Sequence, residues 1–72
     1  MLLLTKIRQE RGLSQAKGAA KGRIHPADWS KFESGRSKPY PKQLRRICRV
    51  LKWPVERGCE LLQEIDADEK AA

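Results

Sequence analysis

Glycine and proline punctuate this chain so closely that only short elements fit between them. Gly12, Gly22, Pro26, Gly35, Pro41 and Pro54 leave no uninterrupted segment longer than about a dozen residues before position 55. Strands in such segments would need alternating β-branched residues, and no such run reaches four. The segments instead carry apolar residues three and four apart, the spacing of one helix face. A chain of 72 residues built this way is expected to be one small all-α domain, a compact bundle of five short helices. It buries only about 60–65% of the surface its unfolded form exposes, which leaves little room for an enclosed active-site cavity.

In Leu3–Arg11, the residues Leu3, Leu4 and Ile7 share a face, and Gly12 ends the helix. Ser14 is a good N-cap for a second helix, opened by Gln15 and stopped near Gly22-Arg23. Pro26 suits the first position of a third helix, because its missing N–H would have no partner there. His25 is then the N-cap. The third helix runs to about Ser34, turns Trp29 and Phe32 inward, and stops at Gly35. Pro41 opens a fourth helix, with Leu44, Ile47, Cys48 and Leu51 inside and Lys42, Arg45, Arg46 and Arg49 outside. Pro54 breaks it. A fifth helix is expected from about Val55 to Ile65, with Val55, Cys59 and Leu62 turned in, joined by Leu61 and Ile65. The domain is expected to span residues 1–65, followed by a disordered acidic tail, 66–72. The tight connection between the second and third helices is a helix-turn-helix geometry.

The net charge of +7 is unevenly placed. Residues 1–54 hold 14 Lys or Arg against three acids, whereas residues 55–72 hold two against six. The basic field belongs to the body of the domain and points to a polyanionic partner. Cys48 and Cys59 lack CxxC spacing and there is one histidine, so no disulfide framework, metal site or cofactor is expected. Both thiols are expected to pack as small apolar groups in a reducing compartment. The opening Met1-Leu2-Leu3-Leu4 is too short for a signal peptide or a membrane span, so a cytoplasmic protein is expected. With no paired carboxylates on one face and no Gly-rich phosphate loop after a strand, the chain does not read as an enzyme.

The ordered signals Gly12-Leu13-Ser14-Gln15, then Ile24, then Ser30-Lys31-Phe32-Glu33-Ser34-Gly35-Arg36-Ser37-Lys38-Pro39 resemble the Cro/cI-type (XRE-like) helix-turn-helix family. The likeness continues through Leu44-Arg45-Arg46-Ile47 and Leu51 without a gap. It implies that the third helix, about 26–34, enters the DNA major groove, which is wide enough to admit a helix. It puts the base-reading positions on Pro26, Ala27 and Lys31, with Asp28 and Ser30 close by. Lys31 is the one long donor there and suits guanine O6 and N7. The resemblance puts phosphate contacts on Gln15, Arg36 and Lys38, to which Tyr40 and Lys42 add a grip from the fourth helix. His25 either meets a phosphate or simply caps. Arg8 and Glu33 match an internal salt bridge of the family. The implied function is sequence-specific binding of double-stranded DNA, as a transcriptional repressor or an antitoxin-type regulator. The alternative is a protein-interaction module that keeps the fold without reading DNA. A monomer or a homodimer is open, the dimer through the fifth helix by way of Leu61 or Ile65.

The sequence departs from that pattern where Gly18 and Gly22 replace large apolar residues and Arg23 replaces the glycine of the turn. Each helical glycine costs about 1 kcal/mol relative to alanine. Two Leu-to-Gly changes remove roughly eight side-chain heavy atoms, and Trp29 and Phe32 in place of aliphatic residues restore roughly nine, which conserves core volume. The Trp29 indole is therefore expected to lie across the second helix, in the space Gly18 leaves. The rival arrangement has Trp29 partly exposed and the helix frayed. At the turn, either Gly22 takes the positive φ one residue early and frees Arg23 for an extra phosphate contact, or Arg23 takes it at about 1 kcal/mol or more. Natural drift and deliberate repacking would both leave such an exchange.

Overall fold

The computed structural model describes residues 1–65, so the acidic tail expected at 66–72 lies outside the described residues. Four α-helices follow in order: α1 (Leu3–Glu10), α2 (Gln15–Lys21), α3 (Pro26–Ser34) and α4 (Pro41–Leu51). The chain then makes a 3-10 helix, Val55–Leu62. The caps expected for α2 and α3 are formed. Ser14 Oγ accepts from the Lys17 N–H at 3.1 Å, and His25 Nδ1 accepts from the Ala27 N–H at 3.1 Å. The α4 start is fixed from the other side, by the Tyr40 N–H donating to Gln43 Oε1 at 2.8 Å.

The fifth α-helix is corrected to a 3-10 helix, and the change moves its inner face. An α-helical spacing would bury Val55, Cys59 and Leu62. Leu61 is buried as expected, but its buried companion is Gly58, three residues earlier as a 3-10 turn requires, while Val55 and Cys59 are exposed and Leu62 is half-buried. Gly58 lets this segment lie close on α4: a Cβ there would stand 3.0 Å from Cys48 Sγ and 3.3 Å from two Leu44 carbons.

The core is one cluster drawn from every element, with Leu4, Trp29, Ile47, Cys48, Leu51 and Leu61 without exposed surface and Phe32 almost so. Trp29 lies against α2 as expected: a Cβ on Gly18 would meet indole carbons at 3.0 and 3.2 Å. This excludes the arrangement with an exposed Trp29. Gly22 is different, since a Cβ there would find ordinary contacts of 3.4–3.5 Å with Val50, Ile24 and the Gly18 carbonyl. The missing volume is thus refilled at Gly18 by the indole and is not sterically required at Gly22.

All four α-helices end in the same motif, a left-handed residue whose successor's N–H reaches back to a carbonyl of the last turn. Leu13 donates to Arg8, Ile24 to Ala19, Arg36 to Lys31 and Trp53 to Cys48. The left-handed residues are Gly12, Arg23, Gly35 and Lys52. The alternative in which Gly22 takes the turn is overturned: Gly22 has φ −88° and Arg23 has φ +55°. Residues 1–3 are also joined to residues 63–65. Leu2 and Glu64 form an antiparallel bridge, with Leu3 N–H donating to Gln63 O and Ile65 N–H donating to Met1 O.

Candidate nucleic-acid interface

The site is built from the outer face of α3 and the loop that follows it. Trp29 and Phe32 fasten the inner face of α3 into the core, so residues off that stripe turn out. Pro26, Ala27, Ser30 and Lys31 are exposed and Asp28 is half-buried. The expected base-reading set therefore shares one accessible helix face. Gly35 then turns the chain with φ +81°, which sends Arg36, Ser37 and Lys38 back alongside α3. A depression of about 300 Å³ between them is lined by Asp28, Lys31, Lys38, Tyr40 and Gln43, among others. It joins members of the base-reading set to members of the phosphate set. Tyr40 is 74% exposed, and a neighbouring hollow along α4 joins it to Lys42, Arg45 and Arg46.

What holds this face in place is a carboxylate. Glu33 Oε2 accepts from Arg8 Nε at 2.6 Å and Glu33 Oε1 from Arg8 Nη2 at 3.2 Å. Thr5 Oγ1, Gln15 Nε2 and Trp29 Nε1 also donate to Glu33. Arg8 Nη1 donates onward to the Leu13 carbonyl at 2.6 Å. The expected Arg8–Glu33 pair is thus the centre of a network tying α1, α2, α3 and the first turn together. The pair is nearly buried, at 10% and 5% side-chain exposure. Burial pushes the Glu33 carboxyl up, but hydrogen bonds from Arg8, Gln15 and Trp29 outweigh it and hold the group below the ordinary carboxylate value. Among the described residues, no buried side-chain nitrogen or oxygen lacks a partner.

Two of the residues expected to contact phosphate are already engaged. The Gln15 amide is bonded to Glu33 at 3.0 Å, so a phosphate contact from it must share or break that bond. His25 caps α3 through Nδ1, which places the ring proton on Nε2 and leaves that donor pointing away from the cap. Arg23 is set apart from the rest. It lines a cleft with Lys21, Arg46, Arg49 and Lys52, which shares no residue with the depression beside α3. Sequence reasoning found the arginines on the outer side of α4 but not their meeting with the end of α2, because no local pattern encodes a contact between helices.

A family model described as a helix-turn-helix domain matches residues 2–64. The chain belongs to the helix-turn-helix domain family. The XRE-like resemblance and the all-α fold are thereby borne out, and DNA binding is the general property of such a domain. The curated proteins and the solved structures gave no match to this helix-turn-helix domain. No helix among its described residues is long and apolar enough to cross a membrane.

Proposed function

We propose that this domain binds double-stranded DNA sequence-specifically, with α3 in the major groove, and acts as a transcriptional repressor or antitoxin-type regulator in the cytoplasm. The observation that carries the reading is the shared depression in which Asp28 and Lys31 of α3 stand beside Lys38 and Tyr40 of the following loop. A helix seated in the groove would then have its phosphate grip built in. Lys31 donates to guanine, Asp28 accepts from cytosine N4, and Pro26 and Ala27 offer apolar contact to a thymine methyl. Ser30 donates or accepts. Arg36, Lys38, Tyr40, Lys42 and the His25 Nε2 donor hold the backbone and set register without reading sequence. The reading assigns the chain no reaction and no cofactor.

The domain measures 35 × 24 × 23 Å, so two copies fit side by side on half-sites about 34 Å apart. Leu61 is buried in the monomer core, which argues against pairing through it. The proposal is a monomer that pairs on DNA.

The test is selection from a random-duplex library at two salt concentrations. A motif of a few base pairs that survives the higher salt is expected, with Lys31→Ala blurring one of its positions. The three cations assigned to the backbone, Arg36, Lys38 and Lys42, give a slope of about −3 in log K against log salt. Charge reversal at Arg36 and Lys38 should abolish binding while the circular dichroism spectrum stays helical. One feature favours a second reading, a protein-interaction module: Lys31 is the only long donor on the exposed face of α3. Binding without an enriched motif, lost as salt rises, would put that reading first.

A further inference from the structure

Five cations converge where the end of α2 meets the last two turns of α4. Lys21, Arg23, Arg46, Arg49 and Lys52 surround a cleft of about 630 Å³ whose floor is Gly22 and Val50. All five are exposed, and none forms an ion pair among the described residues. Like charges gathered around one cleft repel, and an entering anion would relieve that repulsion.

Helix C-termini attract cations, and this accounts for part of the charge. It does not account for where two of the cations stand. Arg23 and Lys52 are the only non-glycine residues with positive φ among the described residues, both at +55°. They occupy the left-handed position that glycine holds in α1 and α3. At those two helices the cation sits beside the glycine, as Arg11 and Arg36, so attraction to the helix end is available without strain. Strain of this kind persists where a side chain is needed. Both strained residues serve the same cleft.

The cleft takes no residue from the exposed face of α3 or from the Arg36–Tyr40 loop, and it shares only Arg46 with the hollow beside Tyr40 and Lys42. Its concavity admits a compact anion. Guanidinium groups of Arg23, Arg46 and Arg49 supply paired donors for phosphate oxygens, and Lys21 and Lys52 add point charges. We propose that this cleft binds a compact soluble polyphosphate group, two or three linked phosphates, at a site separate from the DNA-binding face.

The test is calorimetric titration with sodium tripolyphosphate at fixed ionic strength, with sulfate as the control. One molecule of tripolyphosphate should bind per domain, well above sulfate. The paired change R46Q/R49Q removes two charge-assisted contacts and should weaken binding by about tenfold or more. R36Q/K38Q should leave it intact. Arg23→Gly relieves the strained backbone and should raise the Tm while it weakens tripolyphosphate binding, an opposition that a purely structural arginine would not show. Equal weakening by R36Q/K38Q would mean diffuse attraction and overturn the proposal, as would no binding beyond sulfate. Failure to bind tripolyphosphate, together with a shallower DNA salt slope for R46Q/R49Q, would make the cleft a DNA contact and also overturn it. None of the tripolyphosphate readouts uses DNA, so their failure is distinct from failure of the DNA-binding reading.

Discussion

Glu33 shows how much one side chain decides in a domain this small. It receives hydrogen bonds from Thr5, Arg8, Gln15 and Trp29, which come from three different helices. Glu33→Leu would leave the Arg8 guanidinium buried without its partner, at a cost of about 3–5 kcal/mol. Small domains are stable by only about 5 kcal/mol or somewhat more, so this variant should keep at most about 2 kcal/mol and show a sharply lowered Tm by circular dichroism. Arg8→Met combined with Glu33→Leu should recover part of the loss, because no unpaired charge remains. The pH dependence has a definite sign. The folded carboxyl titrates below its unfolded value, so its contribution is complete above the unfolded carboxylate pKa. It is lost as pH falls from there through the folded value. Denaturant midpoints measured from neutral to acid pH should fall over that range, and an Arg8→Met/Glu33→Leu protein should lose this component. The Arg8–Glu33 pairing was legible from the family resemblance alone. The Thr5, Gln15 and Trp29 donors were not, since they meet the carboxylate only after three helices have packed.

At the scale of elements, Gly18 within α2 and Gly22 at its C-cap have unlike reasons. Gly18 is a packing residue, because the Trp29 indole occupies the space a methyl group would need. Gly18→Ala should lower stability by about 1–3 kcal/mol despite alanine's better helix propensity. Gly22→Ala adds a methyl at ordinary contact distance, and it should leave the denaturant midpoint nearly unchanged. Equal effects at the two sites would contradict the packing account. The exchange between glycine and tryptophan was predictable from volume conservation across facing helices. The 3-10 helix was not, because apolar residues at 55, 59 and 62 fit an α-helical stripe on paper. The close approach of Gly58 to Leu44 and Cys48 selected the other spacing. Arg23 was one of two options in the sequence, and the hydrogen bond from Ile24 to Ala19 fixed which of them occurs.

For the whole molecule, contacts between residues 1–3 and 63–65 matter as much as the middle. The Met1 ammonium pairs with Glu64 at 2.8 Å, and backbone bonds from Leu3 to Gln63 and from Ile65 to Met1 tie the two segments together. A chain stopped after Leu62 loses both backbone bonds, each worth about 0.5–1.5 kcal/mol, and its Tm should fall by several degrees. A chain stopped after Ile65 keeps these contacts and serves as the control. Helix starts, the stops at Gly12 and Gly35, the inner faces of α1, α3 and α4, and the basic character of the body were determined by the sequence itself. They depend on local chemistry: a cap within three residues, a glycine at a left-handed turn, a stripe repeating every three or four positions. Tertiary structure decided what depends on residues far apart in the chain. It set the 3-10 winding against α4, the donors around Glu33, the union of Lys31 with Lys38, and the cleft of five cations. Each of these is a distance between side chains on different elements, and no local pattern encodes such a distance.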